Sequence, residues 1–186
     1  MGKRNERPIA LVGMMGAGKS VVAQILGERL GASVADLDSM IEAMEGCSIA
    51  ELFERSGEAH FRQREGELLE RVLGAGVRVV ACGGGIVLDP TRRALLRERC
   101  FVAWLDVTPA EALRRVSASG APGHVRPLLA GDSPGERLAS ILAARAPLYA
   151  EVAHVRVPTT GRSLAQVADG VLDAVAAAAG PGAEEA

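Results

Sequence analysis

One short segment near the start of the chain constrains its fold and chemistry more than any other feature. Residues 13–20 read Gly-Met-Met-Gly-Ala-Gly-Lys-Ser and fit the pattern G-x-x-x-x-G-K-[ST] of a phosphate-binding P-loop. The apolar run Ile9–Val12 before it predicts a buried strand, and the amphipathic segment Val21–Leu30 after it predicts a helix. This strand–loop–helix context is the one that the motif requires, and it argues against a glycine-rich turn that matches by chance.

The residue types of the loop predict how it would hold a nucleotide. Its glycines let the backbone curl with N–H groups pointing inward, and the following helix adds the positive end of its dipole. Lys19 is placed to reach the β- and γ-phosphates, and the Ser20 hydroxyl is placed to bind Mg²⁺. We therefore expect ATP to contact the loop and the start of the helix through Gly16, Ala17, Gly18, Lys19, Ser20 and Val21.

Charge and cysteine content argue against several classes of protein. The 186 residues carry 21 basic and 23 acidic side chains, a formal charge of −2, whereas proteins that bind nucleic acid or acidic membranes are usually basic. No apolar run reaches membrane-spanning length, and residues 1–7 are not followed by the apolar region of a signal peptide. The three cysteines form no C-x-x-C pair, which predicts reduced thiols, no zinc site and a cytoplasmic location.

Apolar runs alternate with helical patterns along the chain, which predicts an α/β fold with a parallel sheet wrapped by helices. Ligands of such sheets bind at the carboxyl ends of the strands. The five predicted strands are Ile9–Val12, Ser33–Asp36, Val77–Cys82, Phe101–Leu105 and Val155–Val157. The predicted helices span residues 21–30, 37–45, 48–55, 57–73, 90–99, 109–116, 134–149 and 163–179.

These elements predict a single domain over residues 1–179, followed by a flexible C-terminal tail at residues 180–186. Residues 117–131 are rich in Ser, Gly, Ala and Pro, and an irregular stretch of this length in a compact domain is more often a functional lid than a plain connector.

Two aspartates follow the second predicted strand. Asp36 and Asp38 are two residues apart, so on an extended chain both carboxylates face the crevice beside the P-loop. We assign Asp36 to the Mg²⁺ side, since Mg²⁺ takes oxygen ligands and the third strand ends in Cys82 without the usual metal-binding aspartate. Asp38 is then left to orient a substrate hydroxyl or accept its proton. The residues leave open that one of the two caps the helix beginning near Leu37.

Two arginines have both a structural and a functional interpretation. Arg62 lies four residues after Glu58 and three before Glu65, so the simplest expectation is an ion pair on a helix surface. Arg126 lies in the predicted lid, and from there a mobile guanidinium can swing over the phosphates and neutralise transition-state charge. The alternative for Arg126 is a solvated loop charge.

Arg145 is more informative. It continues the apolar stripe of Leu138, Ile141 and Leu142 on a predicted helix, and an inward-facing arginine needs an anionic partner. Its fork of donors suits a carboxylate bidentately, although a rim residue reaching into water is the alternative. Glycines 83–85 follow the third predicted strand, either as a flexible turn or as a place where a ligand approaches the backbone closely.

Taken together, these motifs resemble the shikimate kinase family, within the nucleoside monophosphate kinase-like group of P-loop proteins. The resemblance runs from about Ile9 to about Ala176. It rests on the P-loop, Asp36-x-Asp38, Gly57-Glu58-x-x-Phe61-Arg62-x-x-Glu65, the three glycines, Arg126-Pro127-Leu128-Leu129 and Arg145-x-Pro147-x-Tyr149, in that order. It implies a three-layer P-loop kinase fold, with a five-stranded parallel sheet and a lid. It also implies ATP- and Mg²⁺-dependent phosphorylation of the 3-hydroxyl of shikimate, in the route to chorismate and the aromatic amino acids.

The resemblance also implies roles for individual residues. The catalytic residues would be Lys19, Asp38 and Arg126. Shikimate would be bound by Asp38, Arg62, Gly83, Gly84, Gly85 and Arg145, with both arginines on its carboxylate. Ser20 would ligate Mg²⁺ with Asp36 nearby through water, and Arg162 would pack on the nucleotide base. The family likeness implies small-molecule partners only and a monomer. The chain departs from the family in a longer lid and in Pro158, which stands where a polar residue is common.

Two other functions are compatible with the P-loop. One is a sister kinase on the same scaffold that acts on gluconate or a nucleotide. The other is a nucleotide switch without enzymatic activity, whose acceptor site has decayed. The presence of Asp38, Arg62 and Arg145 argues against the switch.

Overall fold

Five strands pair side by side in the computed structural model, which describes residues 7–118 and 133–179. They are β1 (Ile9–Val12), β2 (Val34–Asp36), β3 (Val79–Ala81), β4 (Phe101–Asp106) and β5 (Val155–Pro158). Every pairing is parallel, and the order across the sheet is β2–β3–β1–β4–β5. The carboxyl ends of all five strands therefore lie at one edge, with the end of β1 in the centre.

Helices cover both faces of this sheet. They are α1 (Lys19–Leu30), α2 (Leu37–Glu45), α3 (Ile49–Gly74), α4 (Pro90–Arg99), α5 (Pro109–Ala118), α6 (Pro134–Val152) and α7 (Leu164–Ala179). The predicted three-layer α/β architecture with a five-stranded parallel sheet is therefore confirmed.

The central strand shows how the sheet divides the core. Ile9 and Leu11 pack in a cluster with residues of α1 and α7, whereas Ala10 and Val12 pack in a cluster with residues of α2, α3 and α4. Side chains alternate between the two faces of a strand, so a strand covered by helices on both sides needs apolar residues at every position. This is the physical reason that β1 reads as an uninterrupted apolar run.

Two local features differ from the predicted elements. The predicted helices 48–55 and 57–73 follow one another as α3, interrupted only at Gly57, whose φ of 79° and ψ of 166° are not helical. Glycine accepts this left-handed region without a steric cost. A short 3-10 turn at Ile86–Leu88, directly after the three glycines, was not predicted.

Several predicted boundaries were wrong by a few residues. Strand β3 is three residues long instead of six, and α6 continues three residues beyond Tyr149 with Pro147 inside it. Helix α5 continues through Ala118, so the predicted lid cannot begin at residue 117. Local propensity changes little over one helical turn, and packing decides where each helix ends. The rest of the predicted lid, including Arg126, and the predicted tail lie outside the described residues.

Gly27 of α1 tests the packing of this helix against the sheet. An added Cβ would collide with the Val34 side chain and lie 3.2 Å from the Ala32 carbonyl oxygen. We expect Gly27→Ala to lower the free energy of unfolding by roughly 1–3 kcal/mol, the usual cost of overpacking, as measured by urea denaturation. Gly170→Ala in α7 is the matched control, because its Cβ would lie 3.4 Å from Val157 Cγ1. It should be neutral or stabilise by up to about 1 kcal/mol, and equal losses in both variants would contradict the packing account.

Candidate active site

The P-loop connects the end of β1 to the start of α1 at the centre of the sheet edge. Gly16 and Gly18 have φ values of 76° and 90°, which favour glycine, and Gly18 is the N-cap of α1. The Lys19 ammonium donates to the carbonyl oxygens of Gly13 and Met14 at 2.9 and 3.0 Å. These bonds hold the positive charge above the loop, where a polyphosphate would bind.

Close packing explains why glycine is needed within this loop. A Cβ on Gly16 would lie 2.8 Å from the Ala112 carbonyl oxygen, so helix α5 lies directly against the loop backbone. Ala17 differs from the other predicted nucleotide contacts, because its side chain is fully buried in the core. Its amide donates to the Met14 carbonyl oxygen at 3.2 Å and closes the turn of the loop.

A cavity of about 750 Å³ opens over the P-loop. Its walls come from the loop itself, the ends of β2 and β3, helix α5 and residues 161–164 after β5. The predicted nucleotide contacts that line it are Gly16, Gly18, Lys19, Ser20, Val21 and Arg162. The structure thus brings together, around one cavity, residues up to 146 positions apart in the sequence.

Ser20 and Asp36, the predicted metal residues, line this same cavity. Asp36 also caps α2, since its Oδ1 accepts a hydrogen bond from the Ser39 amide at 3.1 Å, which confirms the capping alternative for this residue. Within residues 7–118 and 133–179 no group of three or more His, Cys, Asp or Glu could hold a metal ion. A hydroxyl and one carboxylate beside a phosphate site fit Mg²⁺, which completes its shell with water and phosphate oxygens.

A second, smaller pocket adjoins the nucleotide cavity. It has a volume of about 40 Å³. All predicted acceptor residues line it, namely Asp38, Arg62, Gly83, Gly84, Gly85 and Arg145, together with Met15, Ile49, Phe53 and Phe61. Asp38 and Met15 line both cavities, so they stand at the boundary between the two.

Arg62 makes both ion pairs that its sequence position allowed. Its Nε and Nη2 lie 3.2 Å from Glu58 Oε1, and its Nη1 lies 2.7 Å from Glu65 Oε2. The guanidinium also lies 4.9 Å from the centre of the Phe61 ring. A Cβ on Gly85 would collide with the guanidinium, so the glycine makes room for it.

Arg145 faces inward, as the apolar stripe predicted, and is 9% exposed. Its Nη1 donates to the Gly84 carbonyl oxygen at 3.2 Å, and the fully buried Tyr149 hydroxyl donates to the same oxygen at 2.5 Å. Burial raises the pKa of Tyr149 to about 12, so this hydroxyl remains protonated and able to donate at neutral pH. Arg145 and Tyr149 therefore fix the path of the glycine segment together.

Glu65, which the sequence predicted as a surface partner of Arg62 and which belongs to the family motif, is buried at the site. It is 0% exposed, and within residues 7–118 and 133–179 its Oε1 has no hydrogen-bond partner. Burial raises the pKa of its carboxyl group, Arg62 opposes that shift, and the nearby Asp38 charge adds to it. A second guanidinium, that of Arg92, lies 3.5 Å from Glu65 Oε2. A usable signal was present, since the apolar residues Phe61, Leu68 and Leu69 place position 65 on the inward face of the helix.

Helix α5 contributes a charge cluster to the nucleotide cavity. Arg114 Nε and Arg115 Nε each lie 2.7 Å from a carboxylate oxygen of Glu111. Arg115 also donates to the carbonyl oxygens of Gly16 at 3.1 Å and Thr159 at 2.9 Å. It thereby connects the P-loop to the segment after β5. The hydrogen bonds from Arg114 and Arg115 lower the pKa of Glu111 to about 2.

Fold and site together define a P-loop phosphotransferase with a cavity over the P-loop and an adjoining pocket lined by two arginines. A family model described as shikimate kinase matches residues 15–176. The chain is 43% identical over 165 residues to a shikimate kinase of Symbiobacterium thermophilum, covering 89% of this chain and 94% of that protein. The chain belongs to the shikimate kinase family.

Solved structures agree with this assignment. A shikimate kinase from Acinetobacter baumannii in complex with shikimate superposes with a TM-score of 0.86 at 34% identity, covering 92% of this chain and 94% of that one. A gluconokinase from Sinorhizobium meliloti 1021 superposes with a TM-score of 0.62 at 20% identity, covering 95% of each chain, and at that identity it shows the fold alone. Within the described part of the chain, no helix has the length and apolar character to span a bilayer.

The Glu111 cluster predicts a pH dependence of stability. The folded pKa of about 2 lies below the ordinary value of 4.5, so the stabilisation by Glu111 is complete above about pH 5 and is lost as pH falls toward 2. We expect Glu111→Gln to lower the melting temperature at pH 6 and to do so by less at pH 3. Glu70→Gln, at an exposed position of α3, is the charge-matched control and should show a small difference at both pH values. A difference in melting temperature between wild type and Glu111→Gln that widens as the pH falls would contradict this explanation.

Proposed function

We propose that the protein transfers the γ-phosphoryl group of ATP to the 3-hydroxyl of shikimate. The observation that carries this proposal is the shared wall of the two cavities, where Asp38 borders both the nucleotide site and the acceptor pocket. A hydroxyl held by Asp38 would lie beside the terminal phosphate of a nucleotide on the P-loop. Membership in the shikimate kinase family supports shikimate as the acceptor.

The acceptor pocket supplies groups suited to a small hydroxylated acid. Arg62 and the inward Arg145 offer two guanidinium groups, and guanidinium forks match carboxylates bidentately. Asp38 would orient the reacting hydroxyl and receive its proton. Gly84 would let the ring approach the backbone at a point that Tyr149 and Arg145 hold in place.

On the nucleotide side, the chain would act mainly by positioning and electrostatics. The P-loop amides and Lys19 would stabilise the charge of the transferring group. Ser20 and Asp36 are the residues that would hold Mg²⁺, which when bound neutralises charge on the β- and γ-phosphates. Arg162 would lie against the base, and Arg126 would add a second positive charge over the phosphates; its position lies outside the described residues.

Location and assembly are part of the same proposal. Cys47, Cys82 and Cys100 are free thiols, which supports a cytoplasmic enzyme, since disulfides are rare in that compartment. We further propose that the enzyme is a monomer, as the family likeness implies, and size-exclusion chromatography with light scattering can measure this state.

The direct test is a coupled assay of ADP release with Mg²⁺-ATP. We expect release that depends on shikimate and is absent with gluconate or a nucleoside monophosphate. Release with gluconate or a nucleotide, but not with shikimate, would indicate a sister kinase on the same scaffold. Release that no small acceptor stimulates would indicate a nucleotide switch and would contradict the proposal.

Arg145 gives a second prediction, on substrate affinity. Removing a buried guanidinium takes one of two arginine partners from the acceptor carboxylate, and truncating one partner of a buried charge pair typically costs about 2–5 kcal/mol. We expect Arg145→Ala to raise the KM for shikimate by about 30-fold or more, with a smaller change in kcat and in the KM for ATP. Arg137→Ala, at an exposed position of the same helix, is the matched control. An unchanged KM for shikimate in Arg145→Ala would contradict the assignment of Arg145 as the residue that binds the acceptor carboxylate.

A further inference from the structure

The Arg62 guanidinium already binds two carboxylates of its own chain. Glu58 occupies the edge formed by Nε and Nη2, and Glu65 occupies Nη1. A guanidinium has five N–H donors and binds a carboxylate bidentately along its Nε–Nη edge or its Nη–Nη edge. An acceptor carboxylate that binds along the Nε–Nη2 edge of Arg62 must therefore take the place of Glu58.

The two glutamates differ in how easily they can leave. Glu65 is fully buried and lies near a second guanidinium, that of Arg92, at 3.5 Å. The Glu58 side chain is 53% exposed and pairs with Arg62 at the protein surface. Separating a buried carboxylate from its partner is costly, whereas releasing an exposed one into water costs little. Glu58 is therefore the group that an incoming ligand displaces.

The backbone gives Glu58 a place to go once it is released. Gly57 interrupts α3, so Glu58 lies at the start of the helical segment that follows. Carboxylates are stabilised in the first turn of a helix by the helix dipole. Released Glu58 would remain in this favourable position while turning its side chain toward solvent.

Arg62 is part of the wall of the acceptor pocket. Its guanidinium lies against Gly85 and over the Phe61 ring. The contact with Glu58 therefore helps to set the position of this guanidinium in the pocket.

We propose that Glu58 is an internal competitor of the substrate, a carboxylate that occupies Arg62 in the empty pocket and is exchanged for the carboxylate of the acceptor. Only a ligand that brings its own carboxylate compensates Arg62 for the loss of Glu58. Glu58 thus lowers the affinity for ligands that bind Arg62 through a carboxylate, and it leaves unchanged the affinity for neutral analogues, which do not displace it. This inference rests on the proposed function, since it takes the acceptor to be a carboxylic acid.

The test is Glu58→Gln, which removes the charge and keeps the size of the side chain. We expect the KM for shikimate to fall about two- to fivefold, the range expected from the loss of one exposed ion pair, with kcat and the KM for ATP unchanged. Glu58→Asp, whose shorter side chain reaches Arg62 poorly, should change the KM in the same direction by less. Glu67→Gln is the matched control, because Glu67 pairs with Arg64 on the exposed side of the same helix.

A binding measurement separates competition from a general change of structure. Trp104 is the only tryptophan of the sequence, and its ring lies 5.7 Å from that of Tyr149, which bonds to Gly84. Its fluorescence should therefore report the Kd of shikimate and of its neutral methyl ester. We expect Glu58→Gln to improve the Kd of the acid and leave that of the ester unchanged.

Three other outcomes would contradict the role of Glu58 or the proposed function. A higher or unchanged shikimate KM and Kd in Glu58→Gln would overturn the proposal, because Glu58 would then support Arg62 or have no effect on it. An equal gain for acid and ester would overturn it too, since loosening of the pocket would explain both. Wild-type protein that releases no ADP in response to shikimate would overturn the proposed function itself and, with it, the role of Glu58.

Discussion

The acceptor pocket depends on the absence of side chains at two positions after β3. A Cβ on Gly83 would collide with Glu65, and one on Gly85 would collide with Arg62. Charged groups can lie directly against the backbone only because these residues are glycines. The segment is nevertheless held firmly, since Tyr149 and Arg145 both donate to the Gly84 carbonyl oxygen. The three glycines are thus held in one conformation, because surrounding side chains fix their position.

The side chains around this glycine segment also explain how the Glu65 carboxylate can remain buried beside the pocket. Glu65 has Arg62 and Arg92 within 3.5 Å, and Arg92 also donates to the Arg62 carbonyl oxygen. Gly66 allows Arg92 to approach, since a Cβ there would lie 2.8 Å from its Nε. Arg62 can therefore exchange one partner without leaving Glu65 uncompensated. A buried ion pair of this kind adds little net stability, and its value lies in the geometry that it imposes on the pocket.

Phosphoryl transfer requires that the nucleotide and the acceptor lie in line, and that positive charge surround the phosphoryl group being transferred. The parallel sheet places the two sites side by side, because the carboxyl ends of β1, β2 and β3 bring the P-loop, the aspartates and the glycine segment to one edge. Arg115 joins the P-loop to the segment after β5, so the walls of the nucleotide cavity are also connected to one another. Membership in the shikimate kinase family is in keeping with this arrangement.

Much of the site follows from local sequence. The P-loop, the alternation of strands and helices and the inward position of Arg145 are properties of short segments, since each depends on residue types at fixed spacing. The boundaries of β3, α5 and α6 were less predictable, because packing decides them.

Other features needed the tertiary structure. The sequence alone placed Glu65 on a helix beside Arg62, but only the approach of α4 and the glycine segment buries it and brings Arg92 to it. Likewise, the sequence left open which of Asp36 and Asp38 caps the helix that follows β2. Their difference arises where β2 meets α2, since Asp36 caps the helix and Asp38 borders both cavities. Spacing along the chain thus determined which chemical groups the site contains, and the strand order and helix packing decided which of them face one another.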